Sequence, residues 1–146
     1  MDIAAKEFIA HKRIAVVGAS RSGKKFGNSA YQELKQRGYQ VYLVHPEAKE
    51  IAGEPCYPSL EAVKDKVDGV FVCVPPAQGM QVLEQASKAG LKNIWIQQQG
   101  DSPEMLAVGK DLGLTMVHGK CILMYAEPVT SFHSFHRFFV RLSGKY

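Results

Sequence analysis

Five short apolar runs punctuate the chain, at residues 14–17, 40–44, 70–74, 93–96 and 114–117. They are rich in Val and Ile, lack sustained apolar/polar alternation, and have the length of strands buried on both faces. Between them lie segments of helical period. Residues 28–37 carry Ala30, Tyr31 and Leu34 on one side and end at Gly38; residues 77–89 end at Gly90; a third segment opens on Ser102-Pro103-Glu104 and runs to Leu112. That opening supplies a cap, a proline where no N–H is needed and an acid matched to the helix dipole. Strand and helix alternate about five times at short spacing. This predicts an α/β domain, a parallel sheet of about five strands with helices on both faces. Residues 1–12 read as a short helix on the sheet edge, residues 47–58 as turn-rich with an extended piece around 51–57, and residues 60–66 as a brief helix capped by Ser59.

In a sheet of this kind, ligands lie outside the carboxyl ends of the strands, where the strand order reverses. Four sequence features fall at such ends: Gly18-Ala19-Ser20, His45-Pro46, Val74-Pro75-Pro76 and Gln97-Gln98-Gln99-Gly100. The first leads through Lys24 and Lys25 into a helix start at Gly27-Asn28-Ser29. Amides in a first helical turn have no partners within the helix and sit at its electropositive end, so this stretch suits a phosphate or pyrophosphate. An ordinary strand-to-helix connection is the plain alternative. A dinucleotide enzyme would show GxGxxG here and an acid after the second strand; this chain has Gly18-Ala19-Ser20 and His45-Pro46. NAD is therefore disfavoured, whereas Lys24, Lys25 and Lys49 leave room for an extra phosphate of the kind carried by NADP or coenzyme A. A P-loop is excluded because no GxxxxGK[ST] occurs.

Composition narrows the class further. The chain has 146 residues, 46% hydrophobic and 22% charged, which fits one globular domain with its own core. Its start lacks the charged-then-apolar pattern of a signal peptide and no run could span a bilayer, so the cytoplasm is expected, with no membrane association. Three cysteines, Cys56, Cys73 and Cys121, show neither CxxC nor Cys/His spacing and imply no disulfide framework and no metal site. The net charge of +4 suits an acidic small molecule; it is scattered, and no nucleic-acid-binding signature accompanies it. Cys73 reads as a core residue. Cys121, after Gly119-Lys120, is either a thiol favoured as thiolate by the ammonium or a structural one. His45 either contacts a phosphate or closes a strand, and His118, His133 and His136 form no metal set.

Taken together, Val16-Val17-Gly18-Ala19-Ser20, Val44-His45-Pro46, Tyr57-Pro58-Ser59-Leu60, Val74-Pro75-Pro76, Trp95-Ile96-Gln97 and Gly119-Lys120-Cys121 resemble the small bacterial CoA-binding proteins. These are similar to the N-terminal, CoA-binding domain of the succinyl-CoA synthetase α subunit. The resemblance covers about residues 13–124 and implies a single Rossmann-like domain over 1–146. It implies that the CoA pyrophosphate lies over Gly18, Ala19, Ser20 and the helix start at Gly27, Asn28 and Ser29, near Lys24. Pro46, Val74, Pro75 and Pro76 would line the adenosine and pantetheine path, with Lys49 reaching the 3′-phosphate; relatives often place that lysine directly after the proline, where this chain has Glu47. The synthetase's phosphorylated histidine belongs to a second domain, so no catalytic residue is carried over. The expected function is binding of coenzyme A or an acyl-CoA by a non-catalytic carrier, sensor or regulator; the alternative is an NADP-type oxidoreductase or acyl-transfer enzyme using Cys121 or His45. Residues 129–142 place Phe132, Phe135, Phe139 and Leu142 at near-helical spacing and suggest a homodimer interface.

Overall fold

A computed structural model describes residues 3–97 and 101–126. Its helices are α1 (Ile3–Ala10), α2 (Phe26–Gln36), α3 (Pro76–Lys88) and α4 (Pro103–Asp111). Its strands are β1 (Arg13–Val17), β2 (Gln40–Val44), β3 (Glu50–Ile51), β4 (Glu54–Tyr57), β5 (Gly69–Val72), β6 (Asn93–Gln97) and β7 (Thr115–Lys120). The predicted helix over 129–142 and the residues Gln98, Gln99 and Gly100 lie outside the described residues.

The strands form one sheet in the order β3-β4-β2-β1-β5-β6-β7. All pairings are parallel except β3 with β4. The chain steps outward from β1 in one direction through β2, then returns to the other side of β1 through β5, so the order reverses between β1 and β5. The apolar runs are explained by this placement: β5 is buried at every position, and Ile14, Ala15 and Val16 of β1 are fully buried. Residues on one face pack around Phe71, Trp95, Leu34 and Ile14 under α1 and α2. Those on the other pack around Val70, Val72, Ile94 and Ile96 under α3 and α4. Helices thus cover both faces, as the alternation requires.

Four expectations change. The sheet has seven strands, not about five, because residues 50–57 fold into a β3-β4 hairpin whose second strand joins β2 in parallel. The hairpin turns on Ala52 and Gly53, both at positive φ (52° and 81°), the signature of a two-residue turn matched to the twist of its strands. Second, α1 packs at the β7 edge as expected but also reaches inward over the sheet face: the Phe8 ring meets Trp95 edge-on at 5.5 Å and lies over Gly69, where a Cβ would stand 2.8 Å from it. Third, residues 60–66 make only a single 3-10 turn, Glu61–Val63, although Ser59 Oγ does accept the Ala62 amide. Fourth, β5 stops at Val72, two residues before the end of the apolar run, while β7 continues to Lys120. The start of α4 follows the sequence closely, with the Ser102 hydroxyl accepting the Met105 amide at 3.1 Å.

Candidate functional site

At the point of reversal three backbones are pressed together. The Cys73 amide donates to Val17 O at 2.8 Å, fastening the end of β5 to the end of β1. A Cβ on Gly18 would stand 2.2 Å from Cys73 O, and Gly18 also has φ +133°. A Cβ on Gly27 would stand 2.5 Å from Gly18 O. Both glycines are therefore needed for backbone to approach backbone, and the result is that the first turn of α2 is drawn against the loop that leaves β1. Ala19, between them, is buried in the core.

Asn28 completes this junction. It is the one buried polar residue among those described. Its Oδ1 accepts the Ser20 amide at 2.9 Å while its Nδ2 donates to Ser20 O at 3.0 Å, a two-bond clamp between helix and loop. The loop is closed further by the Gly23 amide donating to Ser20 O, by a 2.7 Å contact between the Ser20 and Ser22 hydroxyls, and by the Lys24 amide on Ser22 Oγ. Lys25 occupies the cap position of α2 with extended backbone and offers no side-chain cap. A lysine cannot accept a hydrogen bond, so the helix start keeps its electropositive character, with Lys24 and Lys25 exposed beside it. The half-buried Cys73 thiol lies against the Gly27 amide. Burial pushes its pKa up, and the Gly27 N–H and the charge of Lys25 partly oppose this.

Beside the first turn of α2 is a cavity of about 240 Å³ lined by Gly23, Asn28, Ser29, Tyr31, Gln32, Leu43, Ile51 and Ala52. The β3-β4 hairpin forms its outer wall. Tyr31 ties that wall to the helix: its hydroxyl donates to Glu54 Oε2 at 3.1 Å, and Lys35 Nζ reaches Glu54 Oε1 at 2.7 Å. Burial and then the Glu54 charge push the Tyr31 phenol well above its usual pKa. The Lys35 ammonium, aided by the Tyr31 hydroxyl, holds the Glu54 carboxyl below its usual range. Sequence reading placed Tyr31 in the core but missed Gln32, Ile51 and Ala52 as cavity residues; the available signal was Ala-Gly flanked by Ile51 and Glu54, a hairpin turn in a stretch read as turn-rich with one extended piece around 51–57.

The remaining expected site residues are spread over neighbouring strand ends. Pro46 and Lys49 are exposed on the turn after β2, where the Lys49 carbonyl accepts the Cys56 amide. Val74 is half-buried, Pro75 is the cap position of α3, and Pro76 is its first residue. Gln97 turns its Oε1 to the Ile122 amide at 3.2 Å, and Trp95 Nε1 donates to Lys120 O, so the ends of β6 and β7 are braced by side chains. His118 pairs with Asp101 at 3.1 Å. No group of three metal-ligating side chains occurs among the described residues.

A mostly parallel sheet with helices on both faces, reversed beside a glycine-dependent helix start, defines a Rossmann-like domain. The expected likeness to CoA-binding proteins holds. Residues 12–127 match the family model described as "CoA binding domain", and the chain belongs to that family. It is 29% identical over 136 residues to acetate-CoA ligase (ADP-forming) I of Archaeoglobus fulgidus, a match covering 86% of this chain and 20% of that protein. The chain thus spans about a fifth or less of the first ligases it matches. It is 29% identical to the uncharacterized protein YneT of Bacillus subtilis over 82% of this chain and 87% of that one. Among solved structures, a hypothetical protein from Pyrococcus horikoshii OT3 superposes with a TM-score of 0.75 at 33% identity, covering 86% of this chain and 89% of the other.

Proposed function

We propose that this chain binds coenzyme A or an acyl-CoA at the carboxyl ends of β1, β2 and β5 and serves as a non-catalytic carrier, sensor or regulator of acyl-CoA metabolism. The observation that carries this is the junction of Gly18, Gly27 and Cys73, which sets a helix start whose cap residue, Lys25, offers no side-chain acceptor, with Lys24 beside it, at the reversal of the sheet. Such a start suits a pyrophosphate. Gly18, Ala19, Ser20, Gly27, Asn28 and Ser29 would form its bed, with the Asn28 clamp fixing the loop's shape. The 240 Å³ cavity next to Asn28 and Ser29 is below the size of sites that enclose a whole drug-sized ligand, so it would take one ring-sized part while the rest lies in the open groove past Pro46 and Val74-Pro75-Pro76. Lys49 would meet the 3′-phosphate. Coenzyme A itself supplies the thiol that carries an acyl group; the protein's residues bind and orient it. Among the described residues no helix is long and apolar enough to cross a membrane.

Calorimetric titration at pH 7.5 of protein freed of ligand, with CoA, dephospho-CoA, NAD and NADP, tests the proposal. CoA is expected to bind best, and Lys49→Ala to weaken CoA by about 10- to 100-fold while leaving dephospho-CoA unchanged, in line with a charge-assisted contact worth about 1.5–3 kcal/mol. A preference for NADP, or no binding, would reject it.

A further inference from the structure

His45 stands at the end of β2, directly before Pro46. Its ring turns back onto its own chain: Nδ1 accepts the backbone amide of Ala48 at 2.9 Å and that of Glu47 at 3.1 Å. A nitrogen that accepts two N–H groups carries no proton, so the ring is neutral and its proton is on Nε2. The imidazole thereby holds the turn 46–48 that leads into Lys49, while the His45 amide is fixed to Tyr57 O at 2.9 Å.

We propose that His45 is a positioning residue for the ligand turn and makes ligand affinity depend on pH. This rests on the CoA reading above. Protonation at Nδ1 sets a donor against two donors, both bonds are lost, and the turn bearing Pro46 and Lys49 is released. Glu47, Lys49 and Glu50 are the charged side chains of the turn, β4 brings Tyr57 beside it, β1 ends there at Val17 and Gly18, and the loop after β1 carries Arg21, Lys24 and Lys25. Because the turn is built on an unprotonated Nδ1, apparent affinity is expected to fall as the pH drops.

The test compares wild type, His45→Asn and His45→Ala in calorimetric titrations at several pH values from 7.5 to 5.5. Asn offers an oxygen that can accept both amides and does not titrate. Because the phosphate monoester of CoA itself titrates near pH 6, dephospho-CoA is titrated in parallel. The expected result with dephospho-CoA is a wild-type affinity that declines towards the acid end of this range, a flat profile for His45→Asn, and weak binding at every pH for His45→Ala. Equal slopes for wild type and His45→Asn, or wild-type affinity in His45→Ala, would overturn the inference. Nitrogen-15 chemical shifts of the ligand-free protein at pH 7.5 give a readout independent of binding: the Nε2–H form is expected for His45, and the Nδ1–H form would overturn the positioning role while leaving the CoA reading intact. Absence of CoA binding by wild type at pH 7.5 would reject that reading and this inference with it.

Discussion

Replacing Asn28 by Ala asks whether the loop after β1 is pinned for the ligand's sake. The substitution removes two hydrogen bonds, to the Ser20 amide and the Ser20 carbonyl, from a side chain only 9% exposed. Each is worth about 1 kcal/mol net, and leaving the Ser20 amide poorly solvated raises the loss towards the upper end of about 1–3 kcal/mol. Against this, Ala at a helical position recovers up to about 0.7 kcal/mol of propensity. The net expectation is a destabilisation of about 1–2.5 kcal/mol, roughly a 1 M fall in the urea midpoint for a slope of about 1–3 kcal/mol/M. The chain should therefore remain folded in buffer, and its affinity can be read directly. With the clamp gone the backbone at 19–20 is no longer held in one shape, and ordering it again on binding costs about 1–2 kcal/mol per residue, so CoA affinity should fall at least tenfold. Urea denaturation and calorimetric titration supply the two numbers. A folded Asn28→Ala protein that binds CoA within twofold of wild type would refute the claim that the clamp prepares the loop for its ligand. So would a loss of stability below about 0.5 kcal/mol, since the hydrogen bonds would then carry nothing.

Gly18→Ala places a Cβ 2.2 Å from Cys73 O at φ +133°, so a loss above about 4 kcal/mol and a collapse of thermal stability are expected; a near-normal Tm would show that β1 and β5 can separate at their ends. Glu54 and Asp68 both have carboxyl pKa values held down, Glu54 chiefly by Lys35 and Asp68 chiefly by Arg13. Below its ordinary range each binds fewer protons in the native state than in the unfolded one, so stability is complete above about pH 5 and declines as the pH falls through the folded values. Urea midpoints from pH 6 to 3 check this, and in Glu54→Gln the acid-side decline should be shallower; an unchanged slope would remove the Lys35–Glu54 pair from the account. For the proposed homodimer, light scattering of the full chain against a chain ending at Pro128 should show loss of the dimer while the remaining domain keeps its cooperative unfolding. An unchanged mass would reject residues 129–142 as the interface.

The central strands were legible because burial on both faces leaves a run that only a covered parallel strand explains, as in residues 70–74. The helices after Gly18, Pro75 and Ser102 were legible because each opens on residues with a specific backbone consequence. The β3-β4 hairpin was not: β3 has two residues, too few for any period, and Ala52 at positive φ gives up the usual Asn or Gly signal. The inward reach of α1 was missed for a different reason. Phe8 finds its position through a missing side chain at Gly69 and through Trp95, contacts 61 and 87 residues away that no local window contains. At the site, the glycines were visible but their purpose was not, since spacing alone cannot distinguish a glycine that admits a phosphate from one that admits another strand. His45 is the same case: its type was noted, while its use of Nδ1 depends on where two amides of its own turn point.

Trp95 is the sole tryptophan and is fully buried. On one side it meets Phe8, from the first described helix, and on the other Tyr125, ring to ring at 5.6 Å, from the last described turn. The two ends of the described fold therefore close over a single indole, and neither can lift away without wetting it. The protein thus carries a built-in optical gauge of its own closure: the emission of this one indole, excited apart from the six tyrosines, reports at once on the seating of α1 and of the turn at Tyr125.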